Sequence, residues 1–103
     1  MIYFHPEARL EYREAATFYE SRRPGLGAAF TLEIEGTIER VMEAPSRWPV
    51  FEQDVRKCPT HVFPYSILYT MEPEGLLIVS VMHLRRKPGF WHNRLSDQPE
   101  SLI

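Results

Sequence analysis

The stretch Tyr65-Ser66-Ile67-Leu68-Tyr69-Thr70-Met71-Glu72-Pro73-Glu74-Gly75-Leu76-Leu77-Ile78-Val79-Ser80-Val81-Met82-His83 decides the fold. Its two halves are rich in β-branched, aromatic and aliphatic residues and nearly free of charge, as suits strands that bury side chains. Between them, Pro73 presets a turn and Gly75 tolerates a positive φ, so the halves fold back on each other as an antiparallel hairpin. A hairpin alone is at best marginally stable in water, so the rest of the chain must cover this one.

Upstream, Phe51 to Cys58 and His61 to Phe63 read as further short strands, with Pro59 and Pro64 demanding an edge, bend or bulge nearby. The proline-punctuated segment Ala44-Pro45-Ser46-Arg47-Trp48-Pro49 is a crossover leading into them. Before it lie two amphipathic helical patterns. Ala8, Tyr12, Ala15 and Tyr19, with Ala16 and Phe18, recur at intervals of three and four from Pro6 to Arg22. Leu26, Phe30, Ile34, Ile38, Val41 and Met42 do the same after the break Arg23-Pro24-Gly25-Leu26-Gly27. So short a break makes a helical hairpin. Met1 to Phe4 form a short strand that His5-Pro6 stops, with proline suited to a first helical position. The expected fold is α+β in two layers, in the order β-α-α-β-β-β, with the antiparallel sheet packed on the helical hairpin. Residues 1 to 95 form a single domain, and 96 to 103 a loose C-terminal tail.

A chain of 103 residues with 44% hydrophobic and 13% aromatic residues suits one soluble globular domain. No apolar run approaches the roughly 20 residues of a membrane span. The N-terminus lacks the charged region and apolar core of a secretory leader, so the expected location is the cytoplasm. The single cysteine, Cys58, excludes an internal disulfide and reads as a semi-buried strand thiol. The four histidines have no ligand spacing and no cofactor motif is present, so neither a metal nor a cofactor is expected. The glutamates of the helices, Glu7, Glu11, Glu14, Glu33, Glu35 and Glu39, read as a solvated face.

The net charge of −2 conceals an asymmetry, because residues 1 to 46 hold 5 basic and 8 acidic side chains while residues 47 to 94 hold 7 and 4. Much of the excess lies in His83-Leu84-Arg85-Arg86-Lys87-Pro88-Gly89-Phe90-Trp91-His92-Asn93-Arg94, where cations, aromatics and imidazoles follow a fully apolar strand. Guanidinium groups grip anions bidentately, aromatics stack, and histidine moves protons near neutral pH. The plainer reading of the same residues is structural: Arg85 and Arg86 pair with helix carboxylates, His83 caps the strand, and Trp91 packs at the edge of the core.

Phe63-Pro64-Tyr65-Ser66-Ile67-Leu68-Tyr69 and the ending His83-x-Arg85-Arg86-x-Pro88-x-Phe90-Trp91-x-x-Arg94, taken with the order of elements, resemble the RelE/ParE family of bacterial toxins, often labelled plasmid stabilisation proteins. The resemblance implies a toxin of a type II toxin-antitoxin pair, neutralised by a cognate antitoxin in a hetero-oligomer. It leaves two modes of action open and, as a third reading, an inactive or antitoxin-regulating relative kept for its partner interface. RelE-type members are endoribonucleases that cleave messenger RNA on the ribosome, and that branch assigns catalysis to Arg85 and His83 with Arg56 and Lys57 on the middle strands. Trp91 then stands where those enzymes carry a tyrosine, and an indole offers no ionisable hydroxyl. ParE-type members are gyrase inhibitors that bind DNA gyrase, and that branch assigns target binding to Arg85, Arg86, Lys87, Phe90, Trp91 and Arg94. The ending and the acidic net charge resemble the ParE side more closely.

Overall fold

In the computed structural model, which describes residues 1–95, the expected hairpin is the centre of a five-stranded sheet. β1 (Ile2–Phe4) leads into α1 (Pro6–Arg22) and α2 (Leu26–Glu43); β2 (Val50–Glu52), β3 (Val55–Pro59), β4 (Tyr65–Glu72) and β5 (Gly75–His83) follow, and a 3-10 turn spans His92–Leu95. The strand order is β1-β5-β4-β3-β2. The chain is α+β and two-layered as expected, with two differences in the sheet. Its N-terminal strand lies parallel to β5, so the sheet is mixed, and four strands follow the helices instead of three.

Local chemistry accounts for both helices. Pro6 occupies the first turn of α1, where a missing N–H costs nothing, and the His5 Nδ1 accepts a hydrogen bond from Glu7 N at 3.0 Å. After α1 the Glu20 carboxylate accepts from Gly25 N and Gly27 N, both at 3.0 Å, which ties the helical hairpin at its turn. Glu33 of α2 likewise accepts from the amides of His61 and Val62. Those amides serve a carboxylate instead of a ladder, so His61 to Phe63 is a bend and not the expected strand.

The expected strand from Phe51 to Cys58 is two strands, because Gln53 (φ 50°) and Asp54 (φ 67°) both adopt the left-handed backbone of a two-residue hairpin turn. Neither is the asparagine or glycine that usually announces such a turn. The turn at Gly75 is announced: its φ is 147°, Leu76 N donates to Met1 O at 2.9 Å, and a Cβ at Gly75 would run into the Met1 carbonyl. Glycine here lets β1 reach its parallel partner.

The helices cover one face of the sheet. Ala8, Ala15, Phe30, Ile34, Ile38 and Val41 pack on Cys58, Ile67, Tyr69, Leu76, Ile78 and Val81, all buried. The other face is a smaller cluster of Val55, Leu68, Leu77, Val79 and Met82, closed by Trp91 from beyond β5. β5 is buried on both sides, as a strand between two apolar layers must be. A bulge at Val79, where Leu68 pairs with Ser80 and Tyr69 with Ile78, reverses the alternation of β5. Ile78 faces the helices before it and Val81 after it, which brings His83 to the helical side of the sheet.

Candidate functional site

The basic segment leaves β5 as an arch that returns along the second face of the sheet. Its first end is held by backbone geometry: Leu84 N donates to Pro64 O at 2.9 Å, and Arg86 N to His83 O at 3.0 Å. Arg85 N also donates to His83 Nδ1 at 3.0 Å. Its second end is held by burial, since Trp91 is 1% exposed and packs against Val55, Leu68, Leu77, Val79 and Met82. Gly89 (φ 79°) makes the bend between the two, with the His92 ring directly against the space a side chain would need. His92 Nε2 lies 3.1 Å from Glu52 Oε2 on β2, a contact of proximity without hydrogen-bond alignment.

Beneath the arch sits a carboxylate that sequence periodicity assigns to the solvent. Glu11 of α1 is largely buried, and its Oε1 accepts from Ser80 Oγ at 2.9 Å, Val81 N at 3.1 Å and Arg94 Nη1 at 3.0 Å. Its Oε2 accepts from Arg94 Nη2 at 2.7 Å and lies 3.6 Å from Arg86 Nη1. Arg94 Nη1 donates further to Val79 O at 3.0 Å. A buried ion pair offsets its desolvation only when its remaining donors and acceptors are satisfied, and this one is satisfied from three elements. The Phe90 ring carries the Arg86 guanidinium 3.8 Å from its centroid and that of Arg94 at 5.0 Å, completing a stack over Glu11.

The residues singled out from the sequence are therefore dispersed. Arg85 and Lys87 are exposed on the arch, and Arg86 is half-exposed beside them. Trp91 and Arg94 are interior, at 1% and 7% exposure, and hold the arch instead of facing outward. The pleat of β3 puts Arg56 and Lys57 on opposite faces. Arg56 Nη1 donates to Trp48 O at 2.5 Å, fastening the crossover, and the Lys57 ammonium stands 4.8 Å over the Phe51 ring. His83 meets Tyr65 edge-on at 5.1 Å between centroids. The two share a groove of about 250 Å³ with Glu11, Ala15, Val81 and Arg86.

Tyr65 is the site residue that sequence reasoning missed, although the Phe63-Pro64-Tyr65 motif pointed at it. Burial, the neighbouring Tyr19 hydroxyl and Glu11 push its pKa up to about 12, so near neutral pH it keeps its proton. The His83 ring is constrained in a complementary way. With Nδ1 accepting from Arg85 N, the neutral imidazole carries its proton on Nε2, so the nitrogen left over is a donor. The groove thus sets donors from His83, Tyr65 and Arg86 beside the carboxylates of Glu11 and Glu14. Cys58 is buried and its thiol pKa is raised by that burial, which removes it as a nucleophile.

Among the described residues, no group of three or more His, Cys, Asp or Glu stands close enough to hold a metal ion. No helix among them is long and apolar enough to cross a membrane.

The ParE toxin of the type II toxin-antitoxin system parDE is a family whose model matches residues 2–88 of this chain. The match runs from β1 through the arch to Pro88 and stops before Phe90, Trp91 and Arg94. Comparison with curated proteins returned no match. The family match agrees with the two-helix, five-strand α+β architecture and covers most of the chain: this protein belongs to the ParE toxin family of type II toxin-antitoxin systems.

Proposed function

We propose that this toxin acts by binding a protein target, DNA gyrase, through the arch from Leu84 to Phe90, and that a cognate antitoxin neutralises it. Family membership implies the antitoxin partner. The observation that carries the reading is the state of His83. Metal-free RNA cleavage needs a base for the 2′-hydroxyl, and the imidazole nitrogen able to act as one is engaged by Arg85 N in its own loop. Tyr65, beside it, retains its proton, Arg56 is tied to the crossover, and Trp91 is inside. What stays on the surface of the arch is a set of cations, Arg85 and Lys87 with the half-exposed Arg86, on a fixed backbone. That arrangement suits steering and docking onto an acidic protein surface.

The test is a supercoiling assay with purified gyrase, run beside a translating extract scored for message cleavage. The wild-type protein is expected to inhibit supercoiling and to leave messages intact. Arg85→Ala combined with Lys87→Ala is expected to lose at least about tenfold in inhibitory potency while folding normally, because both side chains are exposed. Unimpeded supercoiling at toxin excess, or cleaved messages that become intact in the Arg85→Ala protein, would overturn the proposal.

A further inference from the structure

We infer that Glu11, a residue of the first helix, is the positioning residue of the arch: by holding Arg94 and steadying Arg86 it fixes the geometry in which Arg85 and Lys87 are presented. This rests on reading the arch as the target-binding surface. The two ends of the arch are connected differently. Among the described residues, the backbone amides of the first end, Leu84 N, Arg85 N and Arg86 N, are tied to Pro64 and to the segment itself. The second is tied to the sheet by Trp91 and Arg94. What bridges the ends is the stack Arg86, Phe90, Arg94, and its charge is balanced by the Glu11 carboxylate at 2.7 Å from Arg94 Nη2 and 3.6 Å from Arg86 Nη1.

Electrostatics gives the same assignment. Four cations lie from His83 to Arg94, and among the described residues the carboxylate of Glu11 makes ion-pair contact with two of them, Arg86 and Arg94. It balances the buried Arg94 and attracts Arg86, so the charge presented outward is concentrated on Arg85 and Lys87. Without Glu11, Arg94 keeps its bond to Val79 O but loses its carboxylate partner, and Arg86 loses the contact that draws it down onto Phe90. The arch then samples several conformations, and binding bears the cost of ordering it. Preorganisation of this kind governs dissociation, whereas long-range steering by Arg85 and Lys87 governs association.

The decisive variant replaces the ion pair with an apolar one, Glu11→Leu with Arg94→Met, since well-packed apolar substitutes often keep a fold that loses a buried pair. Two readouts are taken on the full chain: amide hydrogen exchange at Arg85 and Arg86, and the kinetics of binding to gyrase holoenzyme on a biosensor at several salt concentrations. With thermal unfolding near that of the wild type, exchange at the two amides is expected to accelerate about tenfold. Dissociation is expected to accelerate about tenfold as well, and the salt dependence of association to stay unchanged. Phe90→Leu leaves the ion pair intact and removes the stack, and is expected to show the same pattern at about threefold; it serves if the double variant does not fold. Exchange at Arg85 and Arg86 unchanged in a folded variant would overturn the inference, as would unchanged dissociation from gyrase. A wild-type protein that does not bind gyrase overturns the proposed function and not the positioning role, which the exchange rates then decide alone.

Discussion

The two faces of the sheet are built on different principles. On the helical face, two helices deliver Phe30, Ile34, Ile38 and Val41 onto the sheet, and aromatic rings interlock at the rim, Phe30 with Phe63 at 5.2 Å and with Tyr65 at 5.0 Å. On the opposite face, the described cover is a single irregular segment whose anchor is one indole. Many redundant contacts make the first face a scaffold. The second face depends on a few contacts, and it carries the arch. Regions that must present a surface are drawn from the less stable part of a structure, while the rest of the core holds the backbone in place.

The largest expected effect tests the redundancy of the helical face. Phe30→Ala empties a fully buried position ringed by Tyr12, Tyr19, Phe63 and Tyr65 and should destabilise the protein by about 4 kcal/mol in urea unfolding, in one cooperative transition. Loss of only the helical hairpin, with the sheet intact, would break the contrast between the faces.

Trp91→Ala should cost less, about 3 kcal/mol, and should act locally. Amides from His92 to Arg94 are expected to exchange before the global transition, with binding of a hydrophobic dye to the uncovered face of Leu68, Leu77 and Val79. If those amides remain as protected as the helical core, the second face is as redundant as the first.

The smallest effect is at the rim, at high pH. The folded-state pKa of Tyr65, near 12, exceeds its ordinary value of 10.0. Its contribution is therefore fully present below pH 10, and is lost as the pH rises through 12, because the unfolded chain gives up the proton first. The tyrosine sits half-buried at the solvated rim, so the full shift is discounted to about 1 kcal/mol. Urea midpoints measured from pH 9 to pH 12 should fall, and Tyr65→Phe should remove that part of the slope.

The same contrast explains what could be read from the sequence. The helices were legible because periodicity marks faces that bury many residues, and the β4–β5 hairpin was legible because Pro73 and Gly75 advertise its turn. Turns without such residues were not, as at Gln53-Asp54, where left-handed backbone occurs in residues that seldom signal it. The parallel placement of β1 has no local signature at all, since it is set by which edge of β5 is open. The candidate site was half legible. Composition located the cationic arch, but pattern assigns Glu11 to solvent and Trp91 to either a surface or a core. Only long-range contacts decide between those readings, as when Arg94 reaches 83 positions back along the chain to Glu11.

That separation also orders events during synthesis. β1 and α1 leave the ribosome before the rest of the fold, yet β1 pairs with Leu76, Leu77 and Ile78, and Glu11 with Ser80, Val81 and Arg94, all made later. The helical hairpin can form early, whereas the sheet and the arch close only once residues beyond β5 are available, as contacts so distant in sequence form late. A chain stalled before Arg94 has Arg85, Arg86 and Lys87 but lacks the contact with Glu11 that anchors the second end of the arch.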